Sequence, residues 1–139
     1  MIGVWKSYSA VYLYVVAAAM LVVFGVPMLV APAWWARIFG WTVPAPDHVV
    51  VMLGRSLGGV ICVLAGFAIK AARTPAAQPF FFALMLWIVL TMILIHAYGA
   101  VRGIQPITET IEIAVWVFLL VVTLGFYPAG SRSGSGTVS

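Results

Sequence analysis

Long apolar runs alternate with short polar segments along this chain. A helix needs about 20 apolar residues to cross a hydrocarbon core about 30 Å thick. Four runs meet this requirement, and they cover residues 8–31, 49–70, 78–99 and 107–127. The pattern therefore predicts an all-α fold: an integral membrane four-helix bundle, with one four-span domain over residues 1–128. Residues 129–139 have the glycine and serine content of a flexible tail.

The composition favours a membrane protein, because 65% of the residues are hydrophobic and only 7% are charged. Soluble domains average about 25% charged residues. The formal net charge of +4 raises the question of nucleic acid binding. However, the basic residues are scattered along the ends of the predicted helices and form neither a run nor a face. We therefore exclude nucleic acid as a partner and expect the lipid bilayer to be one.

The basic residues also predict the orientation of the helices. With four spans, both termini and the central loop lie on one side, which then carries Lys6, Lys70, Arg73 and Arg132. The other side has only Arg37 and Arg102 near span ends. Cytoplasmic segments carry the excess of Lys and Arg, so we expect both termini in the cytoplasm. The bias towards Arg, Ala, Val and Gly indicates a bacterium and hence its inner (plasma) membrane.

The loop after the first run, APAWWARIFGWTVPAPDH, combines prolines with aromatic residues. Its prolines prevent one continuous helix, and tryptophan favours the boundary between membrane and water. We predict a short interfacial helix over residues 34–39, lying flat over the bundle. The side chains of this aromatic flap are Trp34, Trp35, Arg37 and Trp41. The flap would cover polar groups that lie beneath it on the outer side.

Charge is concentrated in the turn between the last two runs, HAYGAVRGIQPITETIE, which holds His96, Glu109 and Glu112. Pro106 suits the first turn of a helix, where a missing N–H costs nothing. At about 1.5 Å per residue, Glu112 lies roughly 7 Å inside the fourth helix and Arg55 roughly 9 Å inside the second. Ionisable side chains within a span usually pair with one another. We therefore predict a structural ion pair between Arg55 and Glu112, with His96 and Glu109 close to it.

Small residues on the second helix predict which face meets the other helices. One face carries residues at helical spacing, namely Arg55, Gly58, Gly59, Cys62 and Gly66. Small residues let helices approach closely, so we expect this face to lie inside the bundle. The matching faces of the third and fourth helices are predicted to hold Met85, Met92, His96, Glu109, Glu112, Trp116 and Thr123.

The outer polar residues suggest a site for a metal ion or a small molecule. Nitrogen and oxygen donors suited to zinc, iron or copper come from His96, Glu109, Glu112, Asp47 and His48. A softer set, suited to Cu(I), consists of Met92, Met85 and Cys62. In the alternative, structural interpretation, the histidine bonds a carboxylate and the methionines pack in the core. No HxxxH or HExxH spacing is present, so we expect no cofactor, with copper, zinc, iron or a quinone as the alternatives.

Catalysis by the chain alone has little support in the sequence. It contains no Ser-His-Asp order, CxxC pair or glycine-rich phosphate loop. A proton relay would need polar groups across the membrane, yet the cytoplasmic half offers only Thr91, Thr123 and Cys62. We therefore expect that the protein is not an enzyme on its own.

The segment LVAPAWWARIFGWTVPAPDHVVVMLGRSLGGVICVLAGFAI joins an apolar-proline stretch, an aromatic loop and an Arg-Gly-Gly helix. It resembles the small four-helix membrane proteins of the DoxX-like type, over about the first half of the chain. The resemblance is carried by hydrophobicity together with Arg55, Gly58 and Gly66. It implies a four-helix bundle in a functionally diverse group, in which some members resemble subunits of quinone-linked oxidoreductases. It supplies no catalytic residue.

Two functions follow from these patterns. The first is an accessory or structural subunit of a larger membrane complex, because the chain has ample apolar surface and little polar mass. Its partners would be other membrane subunits or further copies of itself. The alternative is a membrane protein that binds a small molecule, a quinone or a metal through the outer cluster of His, Glu and Arg side chains.

Overall fold

The computed structural model describes residues 2–128, and this range is all-helical, without a strand. Its helices are α1 (Ser9–Ala19), α2 (Val26–Val30), α3 (Pro32–Ile38), α4 (His48–Arg73), α5 (Gln78–Arg102) and α6 (Ile107–Phe126). The helical stretches long and apolar enough to cross a membrane are Lys6–Val30, His48–Arg73, Pro75–Arg102 and Ile107–Phe126. The prediction of four such helices is therefore confirmed. The predicted tail, residues 129–139, lies outside the described residues.

The two ends of the molecule differ in their packing. We call the end that holds residues 2–8 and the turn between α4 and α5 the terminus end. The opposite end, with residues 31–47 and the turn between α5 and α6, is the loop end. The core lies towards the terminus end, where α1 packs on α4 and Tyr12 of α1 contacts Phe82 of α5. Its buried residues are Tyr12, Leu13, Ala17, Ala65, Ala68, Ala71, Ala72, Phe81, Phe82 and Met85.

A polar contact ties α1 to α6 inside this core. The hydroxyl of Tyr12 lies 2.6 Å from Oγ1 of Thr123, and both groups are buried. The ring of Tyr12 also stacks on Phe126, with 4.8 Å between the ring centroids. At the same end, the backbone N–H of Trp5 donates to the carbonyl of Gly125 at 2.9 Å. Because the last carbonyls of a helix have no partner within it, the N-terminal segment closes this end of α6.

The first long helix is interrupted where Pro27 enters it. Between α1 and α2 the backbone forms a π-helical segment, Met20–Gly25. Pro27 has no N–H to donate to the carbonyl of Val23, four residues earlier. The indole N–H of Trp35 donates to this carbonyl instead, at 2.8 Å. The proline therefore creates the acceptor that attaches α3 to the first span.

The short helix α3 carries the predicted aromatic flap. It begins with Pro32, which suits the first helical position, and ends at Ile38. The predicted short helix after the first span is therefore present, displaced slightly towards the N-terminus. Trp35 packs against Phe24 and Phe39, with centroid distances of 5.8 and 4.5 Å. These aromatic contacts hold the flap close to the first span.

The glycine-rich face of α4 is only partly inside the bundle, which corrects the predicted inner seam. A Cβ added at Gly58 would lie 2.6 Å from the backbone nitrogen of Leu29, so α4 approaches α2 closely there. Cys62 likewise packs against Gly25 of the first span. At Gly59 and Gly66, in contrast, an added Cβ would meet nothing within 4 Å. The buried stripe of α4 is thus rotated away from Gly59 and Gly66.

Candidate metal centre

The turn between α5 and α6 places the last two helices side by side. Gly103 ends α5 in the left-handed conformation, with φ of 62°, which glycine adopts without strain. The side chain of Gln105 folds back over Gly99 and leaves no room for a Cβ there. Its amide also donates to the hydroxyl of Thr110 at 3.1 Å. This compact turn sets the first turn of α6 against the last turns of α5.

Three predicted residues meet across this turn. Nε2 of His96 lies 2.9 Å from Oε2 of Glu109 and 3.7 Å from Oε2 of Glu112. The side chain of His96 is buried, with 4% exposed, whereas those of Glu109 and Glu112 are 14% and 22% exposed. One ligand atom from each residue lies within 4.8 Å of the other two. We call this cluster of His96, Glu109 and Glu112 the triad.

The backbone assigns the tautomer of His96. Its Nδ1 lies 2.7 Å from the carbonyl oxygen of Met92. A carbonyl oxygen only accepts hydrogen bonds, so Nδ1 carries a hydrogen and donates it. In the neutral imidazole, Nε2 then has a free lone pair. Metal-binding histidines usually have this arrangement, in which one ring N–H bonds a backbone carbonyl and the other nitrogen is the ligand.

The other ring nitrogen, Nε2 of His96, faces the carboxylates of Glu109 and Glu112. Like the lone pair of Nε2, these carboxylates accept hydrogen bonds. A carboxylate oxygen has no hydrogen to donate, so a neutral His96 and an ionised Glu109 cannot bond directly at 2.9 Å. A positive species has to lie between them, either a proton or a metal ion. A proton on Nε2 would bond Glu109, but the 3.7 Å to Glu112 is too long for a good hydrogen bond. A metal ion would bind all three side chains.

The aromatic flap orients one carboxylate of the triad. The indole N–H of Trp41 donates to Oε1 of Glu109 at 2.7 Å. The hydroxyl of Thr108 donates to the carbonyl of Phe39, which lies 69 residues earlier in the chain. These two bonds join the flap to the start of α6 and leave Oε2 of Glu109 directed at His96. The sequence predicted that the flap covers polar groups on this side, but it gave no signal for the individual bond between Trp41 and Glu109, whose partners are 68 residues apart.

The predicted ion pair between Arg55 and Glu112 is wrong: no such pair is present among residues 2–128, and Glu112 faces His96 instead. Arg55 is exposed. It lies on the side of α4 that also carries Gly59, where the structure leaves open space. The reason is the helix pairing, since α4 packs mainly on the first span and α3 while α6 packs mainly on α5.

The other predicted ligands do not join the triad. Asp47 and His48 are exposed at the start of α4 and lie outside the cluster that the described residues form. In the softer set, Met85 packs in the core and Cys62 lies against Gly25. Met92 contributes its backbone carbonyl to His96. The fold therefore brings together nitrogen and oxygen donors, while Met85 and Cys62 of the soft set pack against other residues.

The remaining flap residues take different positions. The side chains of Trp34 and Arg37 are exposed, whereas Trp35 is held by its bond to Val23. Trp116, which was expected on the inner face of α6, packs beside His96 with 5.9 Å between the ring centroids. The indole of Trp116 is therefore a neighbour of the triad.

The donor set defines the class of site. Ligand atoms around a tetrahedral zinc lie about 3.3 Å apart, given bonds of about 2.0 to 2.1 Å, and the two triad distances fall on either side of this value. One nitrogen and two oxygens suit zinc or iron better than Cu(I).

Comparisons with models of protein families, with curated proteins and with solved structures find no match for this chain. Residues 2–128 thus form an all-helical fold with four span-length helices and a His–Glu–Glu cluster.

Proposed function

We propose that this chain is an integral membrane protein that binds one divalent transition-metal ion, zinc or iron, through His96, Glu109 and Glu112. The observation that carries the proposal is the position of Nε2 of His96 between two carboxylate oxygens, at 2.9 and 3.7 Å. The hydrogen bond from Nδ1 of His96 to the carbonyl of Met92 supports the proposal, because it leaves Nε2 free to bind a metal. The bond from Trp41 to Glu109 adds a second fixed ligand.

Charge also supports a cation at this place. The triad has two carboxylates and one imidazole, and the ion pairs among residues 2–128 bring no Lys or Arg to it. With a neutral imidazole the cluster carries two negative charges, which are costly to desolvate without compensation. A divalent ion would neutralise them. His96 is also nearly completely buried, so the cluster is more than an exposed group of acids.

Insertion in a membrane is supported by the surface as well as by the helix lengths. At 26 residues, α4 is about 39 Å long and exceeds the hydrocarbon thickness of about 30 Å. The span-length helical stretches carry large apolar side chains that are more than two thirds exposed, namely Val22, Met52, Phe80, Trp87 and Leu94. Lipid would cover them. The distribution of Lys and Arg supports an orientation with the loop end, and hence the triad, on the outer side, and the bias towards Arg, Ala, Val and Gly favours a bacterial inner membrane.

Metal titration of the purified protein tests the proposal. We expect calorimetry in detergent to give one equivalent of bound Zn²⁺. His96→Ala and Glu109→Gln should each weaken binding by more than the roughly 10- to 100-fold that loss of an outer-shell partner causes. The matched controls are His48→Ala and Asp47→Asn, which change a histidine and a carboxylate at exposed positions. Binding that is absent in the native protein, or lost equally in the controls, would overturn the proposal.

A second candidate function, an accessory subunit of a membrane complex, is favoured by Arg55. The Cα atom of Arg55 lies about 10 Å from the start of α4, which is within a candidate span. Arg55 is exposed and has no ion-pair partner among residues 2–128. Charged groups at such depth usually pair with another group, and a neighbouring subunit could supply the anion. The resemblance to DoxX-like proteins, some of which resemble oxidoreductase subunits, is compatible with this role.

Purification in a mild detergent from the native membrane tests the second candidate. Mass spectrometry of the purified peak should show a stoichiometric partner chain, and Arg55→Leu should release it. The control Arg37→Leu removes an exposed arginine from α3 rather than from a candidate span. A peak that contains only single copies of this chain would contradict the role.

A further inference from the structure

Trp116 has an unusual environment for a tryptophan. It follows Glu112 by four residues on α6, so the two side chains share a face and Trp116 lies one turn deeper. Its ring is 5.9 Å from the ring of His96, at an angle of 46°. Its indole nitrogen is buried and has no hydrogen-bond partner among residues 2–128. An indole N–H can only donate, so this group lacks an acceptor.

Among the residues that the structure describes, no other buried indole nitrogen lacks a hydrogen-bond partner. Two tryptophans of the flap use their indole N–H groups, since Trp35 donates to the carbonyl of Val23 and Trp41 to Glu109. Trp34 is more than half exposed at the loop end and can bond solvent or lipid headgroups, whereas the exposed Trp87 lies midway along a candidate span. A buried polar group without a partner is rare in proteins and often marks a functional role or a bound water or ion. Here the group lies beside the triad.

The coordination of the proposed metal leaves room for an acceptor. The triad supplies three ligands, and sites with three protein ligands on zinc usually hold a water or a substrate at the fourth position. The charge of the centre selects the kind of ligand. A divalent ion, two carboxylates and a neutral imidazole sum to zero. An anion at the fourth position would leave a net charge in a poorly solvated place, which is unfavourable.

We propose that the metal in the triad binds a neutral oxygen ligand, either water or the carbonyl oxygen of a small molecule, and that the indole N–H of Trp116 donates a hydrogen bond to that oxygen. This inference rests on the proposed metal site and adds the fourth ligand and its chemical class. Trp116 is then a positioning residue for the ligand. The same oxygen would complete the coordination of the metal and satisfy the buried donor.

Nuclear magnetic resonance of ¹⁵N-tryptophan-labelled protein in detergent tests the proposal. The chain has six tryptophans, hence six indole N–H signals, and the variants Trp116→Phe and Trp41→Phe assign two of them. We expect Zn²⁺ to shift the Trp116 signal downfield, because the N–H gains an acceptor. The Trp41 signal should also move, because Trp41 bonds the ligand Glu109. Zn²⁺ should leave both signals unchanged in His96→Ala.

The two signals separate the possible failures. If Zn²⁺ moves the Trp41 signal and not the Trp116 signal, a metal binds but the inference about the fourth ligand is overturned. If neither signal moves and calorimetry detects no binding, the proposed metal site itself has failed. The Trp116 signal therefore reports the ligand, and the Trp41 signal reports the metal.

Two probes of the same shape and different charge identify the ligand. Acetamide offers a neutral carbonyl oxygen, and acetate offers a charged one. If acetamide shifts the Trp116 signal of the Zn²⁺-loaded protein further and binds several-fold more weakly to Trp116→Phe, the fourth ligand is a carbonyl compound. If acetamide has no effect on a signal that Zn²⁺ has already moved, the ligand is water. Tighter binding of acetate than of acetamide would overturn the preference for a neutral ligand.

Discussion

The Nδ1 atom of His96 lies 2.7 Å from the carbonyl oxygen of Met92, one helical turn earlier on α5. This bond requires a hydrogen on Nδ1 and therefore leaves Nε2 to face Glu109 and Glu112. The chemistry of the site depends on this assignment. A neutral ring of this tautomer is a ligand for a cation, and the same ring with a second hydrogen is a cation itself.

The bond between Trp41 and Glu109 predicts that the aromatic flap supports metal binding. We expect Trp41→Phe to weaken Zn²⁺ binding by about 10- to 100-fold, the range for loss of an outer-shell hydrogen bond. The reason is that Glu109 would no longer be held with Oε2 towards His96. Calorimetry measures the effect, and Trp34→Phe is the control, because Trp34 is exposed. Equal effects of the two substitutions would show that the bond has no role in binding.

The close approach of α4 to α2 predicts opposite effects for two adjacent glycines. Gly58→Ala should destabilise the protein by about 1 to 3 kcal/mol, the usual cost of overpacking, because the new Cβ would meet backbone atoms of Leu29 and Gly25. Gly59→Ala should be neutral or stabilising, by up to about 1 kcal/mol, because it only raises helix propensity. Thermal unfolding in detergent compares them. Similar losses in both variants would contradict the observed rotation of α4.

The separation of Arg55 from the triad predicts additive effects. Arg55→Leu and Glu112→Gln should change the free energy of unfolding independently, with the double variant within about 0.5 kcal/mol of the sum. Denaturation of the four proteins in one detergent gives the coupling energy. A coupling energy well above about 0.5 kcal/mol would show that Arg55 and Glu112 interact, as the sequence suggests. Unfolding without metal present avoids a contribution from ligand binding.

The buried bond between Tyr12 and Thr123 predicts a partial rescue. Tyr12→Phe leaves the hydroxyl of Thr123 unsatisfied in the core, which should cost about 1 to 3 kcal/mol. Adding Thr123→Val replaces both partners by apolar groups and should recover part of this loss. Thermal unfolding of the single and double variants measures it. If the double variant is less stable than the single one, the hydroxyls do not act as a bonded pair.

The flap predicts where Trp34 lies in a bilayer. Its side chain is 58% exposed, and tryptophan favours the interface. In vesicles, quenchers placed at the lipid headgroups should reduce the fluorescence of the native protein more than that of Trp34→Phe. Quenchers at the bilayer centre should affect both proteins equally. A contribution of Trp34 to quenching from the centre would show that the flap is inserted deeply.

Several features could be read from the sequence because they depend on local physics. Hydropathy over about 20 residues determined the four long helices, and proline with aromatic residues determined the short helix after the first of them. The meeting of His96 with Glu109 and Glu112 was also predictable in part. Only one tight turn separates α5 from α6, so residues near that turn are close whatever the rest of the chain does.

Other relationships were decided only by the tertiary structure. Arg55 and Glu112 have similar depths, yet depth along a helix says nothing about its rotation. Lipid is as apolar as a neighbouring helix, so the apolar pattern of a span does not show which face is inside. Close packing of Gly58 on α2 sets the rotation of α4 and turns Arg55 outward. The sequence by itself thus determined the helices and a set of candidate ligands that includes the triad, while packing determined which helices pair, and so which charges meet.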